Sequence, residues 1–154
     1  MGYVLDLRKI EGIGKRPLLV AVGVVYAINE KGELLLEKRA DDLTWSLPGG
    51  SMELGETPEE SAKREFFEET GLIAEDLTLI NVTSGEDAHY FYPNGDEIYA
   101  VEINYLCKKV LGEEKLQKEE VLELKYFNVD NLPQSLCGSA RKTIEILKEK
   151  HLIL

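Results

Sequence analysis

Apolar positions recur along this chain with two periods, two and 3.6, and together they lay out its elements. Residues 18–28 form the longest apolar run and read as a central strand; Asn29-Glu30-Lys31-Gly32 follows as a turn, and residues 33–38 read as the returning strand. A loop through Asp41 and Asp42 leads to Trp45, and Pro48-Gly49-Gly50 forces a turn in which backbone carbonyls can approach a ligand closely. Further on, residues 77–84 predict a strand, and residues 89–92 open a hairpin over Pro93-Asn94-Gly95-Asp96. Its second arm alternates most clearly, with Tyr99, Val101, Ile103, Tyr105 and Cys107 on one face and Ala100, Glu102, Asn104 and Leu106 on the other. Residues 112–118 read as a charged loop and residues 121–129 as another strand. Residues 139–150 read as a helix with Ala140, Ile144 and Leu147 as its apolar stripe. The order strand, strand, helix, three or four strands, helix predicts an α+β domain with a mixed sheet between two helices.

The first of these helices carries the strongest punctuation. Thr57 suits an N-cap, Pro58 the first helical position, and Glu60 stands three residues after the cap. Gly71 supplies the left-handed residue that stops it. Ala62 and Phe66 make the side expected to pack on the sheet, and Phe67 lies on a different face. Glu65, Glu68 and Glu69, spaced i, i+3, i+4, share one narrow face in the C-terminal half, where the helix dipole disfavours anions. Two carboxylates held about 4 Å apart at an effective dielectric near 20 repel by roughly 4 kcal/mol. A positive partner is therefore expected. Arg64 borders the face but cannot neutralise these three and Glu56 as well, whereas a hard divalent cation, Mg²⁺ or Mn²⁺, suits an all-oxygen carboxylate site. From the helix alone, a solvated acidic face reads as well as a metal site.

The wider spacing changes that balance. Gly50, Glu56, Arg64, Glu65, Phe66, Glu68, Glu69, Gly71 and Leu72 resemble, without a departure, the box G-x5-E-x7-R-E-U-x-E-E-x-G-U of the Nudix (MutT-like) hydrolase family, U being a bulky apolar residue. The lead-in Trp45-Ser46-Leu47-Pro48-Gly49-Gly50 also looks like that family's, and the resemblance covers about residues 17–150. It implies an α/β/α sandwich, with residues 1–154 as a single domain made of a lead-in over residues 1–17 and a box over residues 50–72. It further implies hydrolysis of a nucleoside diphosphate linked to another moiety X. On this reading Glu65, Glu68 and Glu69 are metal ligands, the Gly50 carbonyl joins them, and Glu56 pairs with Arg64, which orients the ligands. The physical case stands beside the name: a pyrophosphate would be repelled by carboxylates alone, and bound Mg²⁺ reverses that sign.

For the general base, Glu65 is the first candidate. Glu120, just before a late strand, is preferred among Glu97, Glu119 and Glu120, each of which also reads as a simple exposed acid. Trp45, Tyr90, Phe91, Tyr92 and Tyr99 could stack a base or could equally be strand packing. Trp45, Tyr90 and Tyr92 are the substrate-binding candidates. Some relatives that cleave ADP-ribose carry a proline about 15 or 16 positions after the box, where Asp87 and Ala88 stand here. Those that cleave dinucleoside polyphosphates carry a tyrosine about 16 to 18 after it, where Tyr90 stands. Nucleoside triphosphates and nucleotide sugars stay open, and the alternative to an enzyme is a noncatalytic Nudix-like domain that binds a nucleotide and regulates another process.

Charge and composition narrow the partners. At 154 residues, 44% hydrophobic and 31% charged, the chain suits one compact domain. Its net charge of −11 argues against wrapping a nucleic-acid polymer and leaves a small nucleotide bridged by metal. No apolar run is long enough to span a bilayer, no signal-peptide core opens the chain, and Asp6 breaks a myristoylation pattern, so no membrane partner is expected and the cytoplasm is the expected location. Cys107 and Cys137 show neither metal-ligand spacing nor a disulfide framework, and His89 and His151 are isolated. Arg8, Lys9, Lys15 and Arg16 make the lead-in locally basic, either a solvated segment or a phosphate-facing edge. Homodimers are common in the family, and nothing in the sequence fixes an interface.

Overall fold

In the computed structural model, which describes residues 2–150, the long apolar run forms β1 (Leu18–Ala27) and the alternating arm forms β8 (Glu97–Cys107), and the two pair in parallel along their whole length. Around that pair a mixed five-stranded sheet assembles. β4 (Gly49–Ser51) adds antiparallel to β1; β6 (Thr78–Thr83) and β7 (His89–Phe91) add antiparallel to β8. Both faces are apolar and both are covered, as parallel pairing requires. Val24, Tyr26 and Leu106 on one face pack against Ala140, Ile144 and Leu147 of α3 (Gly138–Glu149). Val25, Ala27 and Tyr105 on the other pack against Ala62 and Phe66 of α2 (Pro58–Thr70). The expected sheet between two helices is therefore present, and Phe67 is left exposed.

The returning strand departs from expectation. β2 (Leu34–Arg39) forms no ladder with β1; a single Ile28–Leu34 bridge closes the turn between them, and β2 joins a separate antiparallel sheet between β3 (Trp45–Ser46) and β10 (Val121–Phe127). The reason lies in its composition: Leu34, Leu35 and Leu36 give it two apolar faces, and Leu34 and Leu36 join the α3-side core while Leu35 joins the α2-side core. A strand buried on both faces needs cover on both faces and pairing on both edges, which a simple hairpin cannot supply. A third, small sheet pairs β5 (Ile73–Glu75) with β9 (Lys109–Leu111) just beyond α2.

The basic lead-in is neither a solvated segment nor a phosphate-facing edge throughout. Gly2–Arg8 form a short helix, α1, whose Val4 is buried among Val20, Ala88, Ile98 and Ala100. Arg8 Nε lies 2.9 Å from Asp96 Oδ1, with both side chains nearly covered, and Lys15 Nζ reaches the same oxygen at 3.3 Å. Seven residues are too few to hold a helix unaided, so these tertiary contacts stabilise it. His151 lies outside the described residues. Among those described, no helix is long and apolar enough to cross a membrane.

Phe66 is fully buried at the centre of the α2 contact. Phe66→Ala removes that contact and leaves a cavity, so it is expected to cost about 3–5 kcal/mol of unfolding free energy. Denaturant melts with an unchanged m-value would measure it; a loss under about 1 kcal/mol would mean that α2 is not held by this side chain.

Candidate active site

The sequence signals at both ends of α2 are realised. Thr57 Oγ1 accepts from the Glu60 N–H at 3.1 Å, Pro58 opens the helix, and Gly71 closes it at φ 78°, donating its N–H to Phe67 O at 2.8 Å. With its apolar side on the sheet, the helix turns Glu65 and Glu69 inward, 3% and 4% exposed, and leaves Glu68 half exposed.

Arg64 ties these acids together. Its Nε and Nη2 donate to the two oxygens of Glu56 at 2.6 and 2.9 Å, a bidentate fork. Nη1 donates to Glu65 Oε1 and to Glu68 Oε2, each at 3.1 Å, and Nη2 also reaches the Ser51 carbonyl at 3.2 Å. One guanidinium thereby links the end of β4 to three carboxylates. The Arg64 hydrogen bond holds the Glu56 carboxyl below the usual carboxylate range, against a smaller opposing effect of desolvation.

Gly50 is shaped by the same cluster. A Cβ at this position would run into the Glu65 carboxyl, with both its oxygens at 2.6 Å. Only glycine lets that carboxylate lie against the strand, and the carbonyl of the same residue belongs to the strand beside it.

One acid at the centre of the cluster lies outside the box and escaped the sequence reading. Glu37 sits in the middle of β2, 4% exposed, with its carboxyl against that of Glu69 and its Oε2 without a hydrogen-bond partner. A signal for it exists. Leu35 and Glu37 share a face by strand alternation, and Leu35 packs in the Phe66 cluster, so the next side chain on that face is carried toward the acids of α2. Burial raises the Glu65 carboxyl, which Arg64 opposes. Burial, then repulsion from Glu37 and Glu65, pushes Glu69 well above the carboxylate range. Glu37, also chiefly through burial, is pushed up to about 7.

Buried carboxyls pushed up chiefly by burial, one of them with an orphaned oxygen, are the donor set that a hard divalent cation would satisfy. Among the described residues, no three acidic, histidine or cysteine side chains already converge as a ligand set. Arg64 draws Glu65 and Glu68 to itself, so the donors are adjacent and not yet gathered.

Beside the cluster lies a cavity of about 460 Å³. Gly50, Glu65, Glu69 and Glu37 line it, as do the exposed Glu119 and Glu120. Trp45, Tyr90 and Tyr92 line it, as does the exposed Phe91, while Tyr99 lies elsewhere, stacked at 4.1 Å on His89. Each of the three candidates is also anchored. Trp45 packs edge-on to Phe127 at 4.9 Å, and the Arg39 guanidinium sits over Tyr92 at 5.1 Å. Tyr90 donates to Glu102 Oε2 at 2.9 Å. They are thus strand packing and cavity wall at once. Glu97 is held by His89 at 2.6 Å and does not line the cavity.

Comparison with known proteins identifies relatives of this chain. The NUDIX domain family model matches residues 17–147. The chain is 37% identical to an ADP-ribose pyrophosphatase of Methanocaldococcus jannaschii over 117 residues, covering 74% of this chain and 65% of that protein. It is 42% identical to an RNA pyrophosphohydrolase of Aeromonas hydrophila over 71 residues, covering 46% of this chain and 38% of the relative. The chain spans about half to two thirds of the length of the first curated relatives it matches. Among solved structures, a MutT NUDIX hydrolase from Burkholderia pseudomallei superposes with a TM-score of 0.69 at 29% identity, covering 86% of this chain and 98% of that one. The matched segment takes in the whole helix, its acids, and the sheet that holds them, and the chain belongs to the Nudix family.

Proposed function

We propose that residues 1–154 work as one Nudix unit, a divalent-metal-dependent pyrophosphohydrolase that cleaves a small nucleoside diphosphate linked to a further moiety X. The observation that carries this reading is the junction of buried carboxylates with a cavity walled by aromatic rings. Carboxylates alone would repel a pyrophosphate, so the acids need a cation, and the aromatic rings offer a place for a base.

In this reading Glu65, Glu68 and Glu69, with the Gly50 carbonyl, hold Mg²⁺ or Mn²⁺. The cation when bound offsets phosphate charge and lowers the pKa of water. Arg64, braced by Glu56, fixes where Glu65 and Glu68 point. Water attacks one phosphorus, the phosphoanhydride P–O bond breaks, and the leaving phosphate departs as an anion. The water's proton passes to a carboxylate, Glu65 in first place or Glu120 from the cavity's lining. Trp45, Tyr90 and Tyr92 border the base or X. The pyrophosphatases among the relatives favour this bond class, and two of them differ in substrate, which leaves X to experiment.

Products should be identified across nucleoside triphosphates, ADP-ribose, nucleotide sugars and dinucleoside polyphosphates, with Mg²⁺ and with chelator. Cleavage of at least one class is expected, falling to background when the metal is removed. Cleavage that persists with chelator would rule out the metal role. Tight binding of one compound without cleavage of any would identify a nucleotide-binding regulatory domain.

A further inference from the structure

We propose that Glu37 contributes a carboxylate from β2 to the same divalent cation as Glu69, as a ligand that lies outside the box; this rests on the metal-dependent reading above. Three features of the fold carry it. Glu37 is nine-tenths or more buried, its Oε2 has no hydrogen-bond partner among the described residues, and its carboxyl meets the Glu69 carboxyl inside the cavity. A solvated strand acid would have none of these properties.

The nearby cations are committed elsewhere. Arg39, two residues on, directs Nε and Nη2 to Asp41 at 3.0 and 2.7 Å, and Arg64 is spent on Glu56, Glu65, Glu68 and Ser51. Retreat is also blocked. Glu37 is paired across the sheet with Leu124 on one side and Ser46 on the other, so the backbone holds the side chain where it is. An acid fixed beside another acid with a free oxygen is a donor that a multivalent cation would satisfy. The strand thus offers a donor facing those of α2, so that a bound cation would draw oxygens from two elements.

The test uses Mn²⁺ as its probe, with binding followed by calorimetry and by the loss of the free-ion EPR signal, and thermal unfolding recorded with and without Mg²⁺. Glu37→Gln is expected to weaken Mn²⁺ binding by on the order of tenfold to a hundredfold. It should raise the melting temperature of the metal-free protein, because a repelled carboxylate is gone, and shrink the increment that Mg²⁺ adds. These opposite signs distinguish a ligand from a residue that merely braces Glu69. Gln keeps a side-chain oxygen that accepts from a protonated Glu69 and would preserve metal affinity if bracing were the role. Glu37→Asp, which keeps the charge but shortens the reach, should fold and bind with reduced affinity, and serves if the first variant misfolds. Mn²⁺ affinity equal to wild type in whichever variant folds overturns the proposal while leaving the metal-dependent reading intact. Failure of the wild-type protein to bind Mn²⁺ overturns both.

Discussion

Glu69→Gln is expected to lower turnover on the best substrate by roughly two to four orders of magnitude, which corresponds to about 3–5 kcal/mol of transition-state stabilisation. Glu69 is buried between Glu37 and Glu65, so its charge is felt at short range in a poorly solvated place, and Gln preserves its volume while removing that charge. Single-turnover assays at saturating Mg²⁺ would separate chemistry from binding. Near-wild-type turnover would remove Glu69 from the site. Stability should move the other way. Glu37 and Glu69 both hold protons more tightly when folded than an ordinary carboxyl does, so the native state binds more protons than the unfolded one. The contribution of this pair to the metal-free protein is then fully present at low pH and is lost as pH rises from about 4.5 toward about 7, the upper value being that of Glu37. Glu69→Gln takes one member out of that pair and should flatten the loss, which melts between pH 5 and 8 without metal would reveal.

How much of this could be read from the amino acids follows from the range of the interactions. The box helix was legible because its signals are local: a cap, a proline, a glycine, and three acids within two turns. The α3 stripe was legible for the same reason, and so were the long strands β1 and β8, whereas the short β5 and β9 carried no pattern and the Gly49-Gly50 of β4 read as a turn. The pairing of the long strands was not legible. β1 meets β8 in parallel, Leu18 beside Ile98, across most of the chain, and no short-range pattern encodes that partner. β2 looked like the second arm of a hairpin, yet its two apolar faces took it into another sheet. Glu37 was missed with it, because its role depends on where β2 lies relative to α2. The short α1 was hidden for a related reason: Val4 and Arg8 hold it through contacts with distant residues, Ile98 and Asp96 among them. The sequence offered five aromatic residues either to stack a base or to pack the strands and kept Trp45, Tyr90 and Tyr92 as candidates; these three line the cavity, while Tyr99 stacks on His89.

Arg64→Ala should be the second most damaging change, and it should harm both activity and folding. The side chain makes charge-assisted bonds to Glu56, Glu65 and Glu68 and is about three-quarters covered, with 23% of it exposed. Removing it strands partly buried carboxylates with no cation, at a cost of roughly 2–4 kcal/mol, below the full value for a buried pair because Glu68 stays in solvent. Turnover should fall by about a hundredfold, since Glu65 and Glu68 lose the group that aims them. Arg64→Lys separates the two effects. An ammonium keeps the charge but cannot make the two-pronged bond to Glu56 while also reaching Glu65 and Glu68, so most of the stability should return and most of the activity should not. Acid melts give an independent reading of the same pair. The folded Glu56 carboxyl lies below its ordinary range, so its contribution is present at neutral pH and is lost as pH falls through that lowered value; Arg64→Ala should abolish this share of the acid sensitivity. Full activity in Arg64→Lys would mean that charge alone is what the helix needs there, and that the fork has no part in holding the ligands.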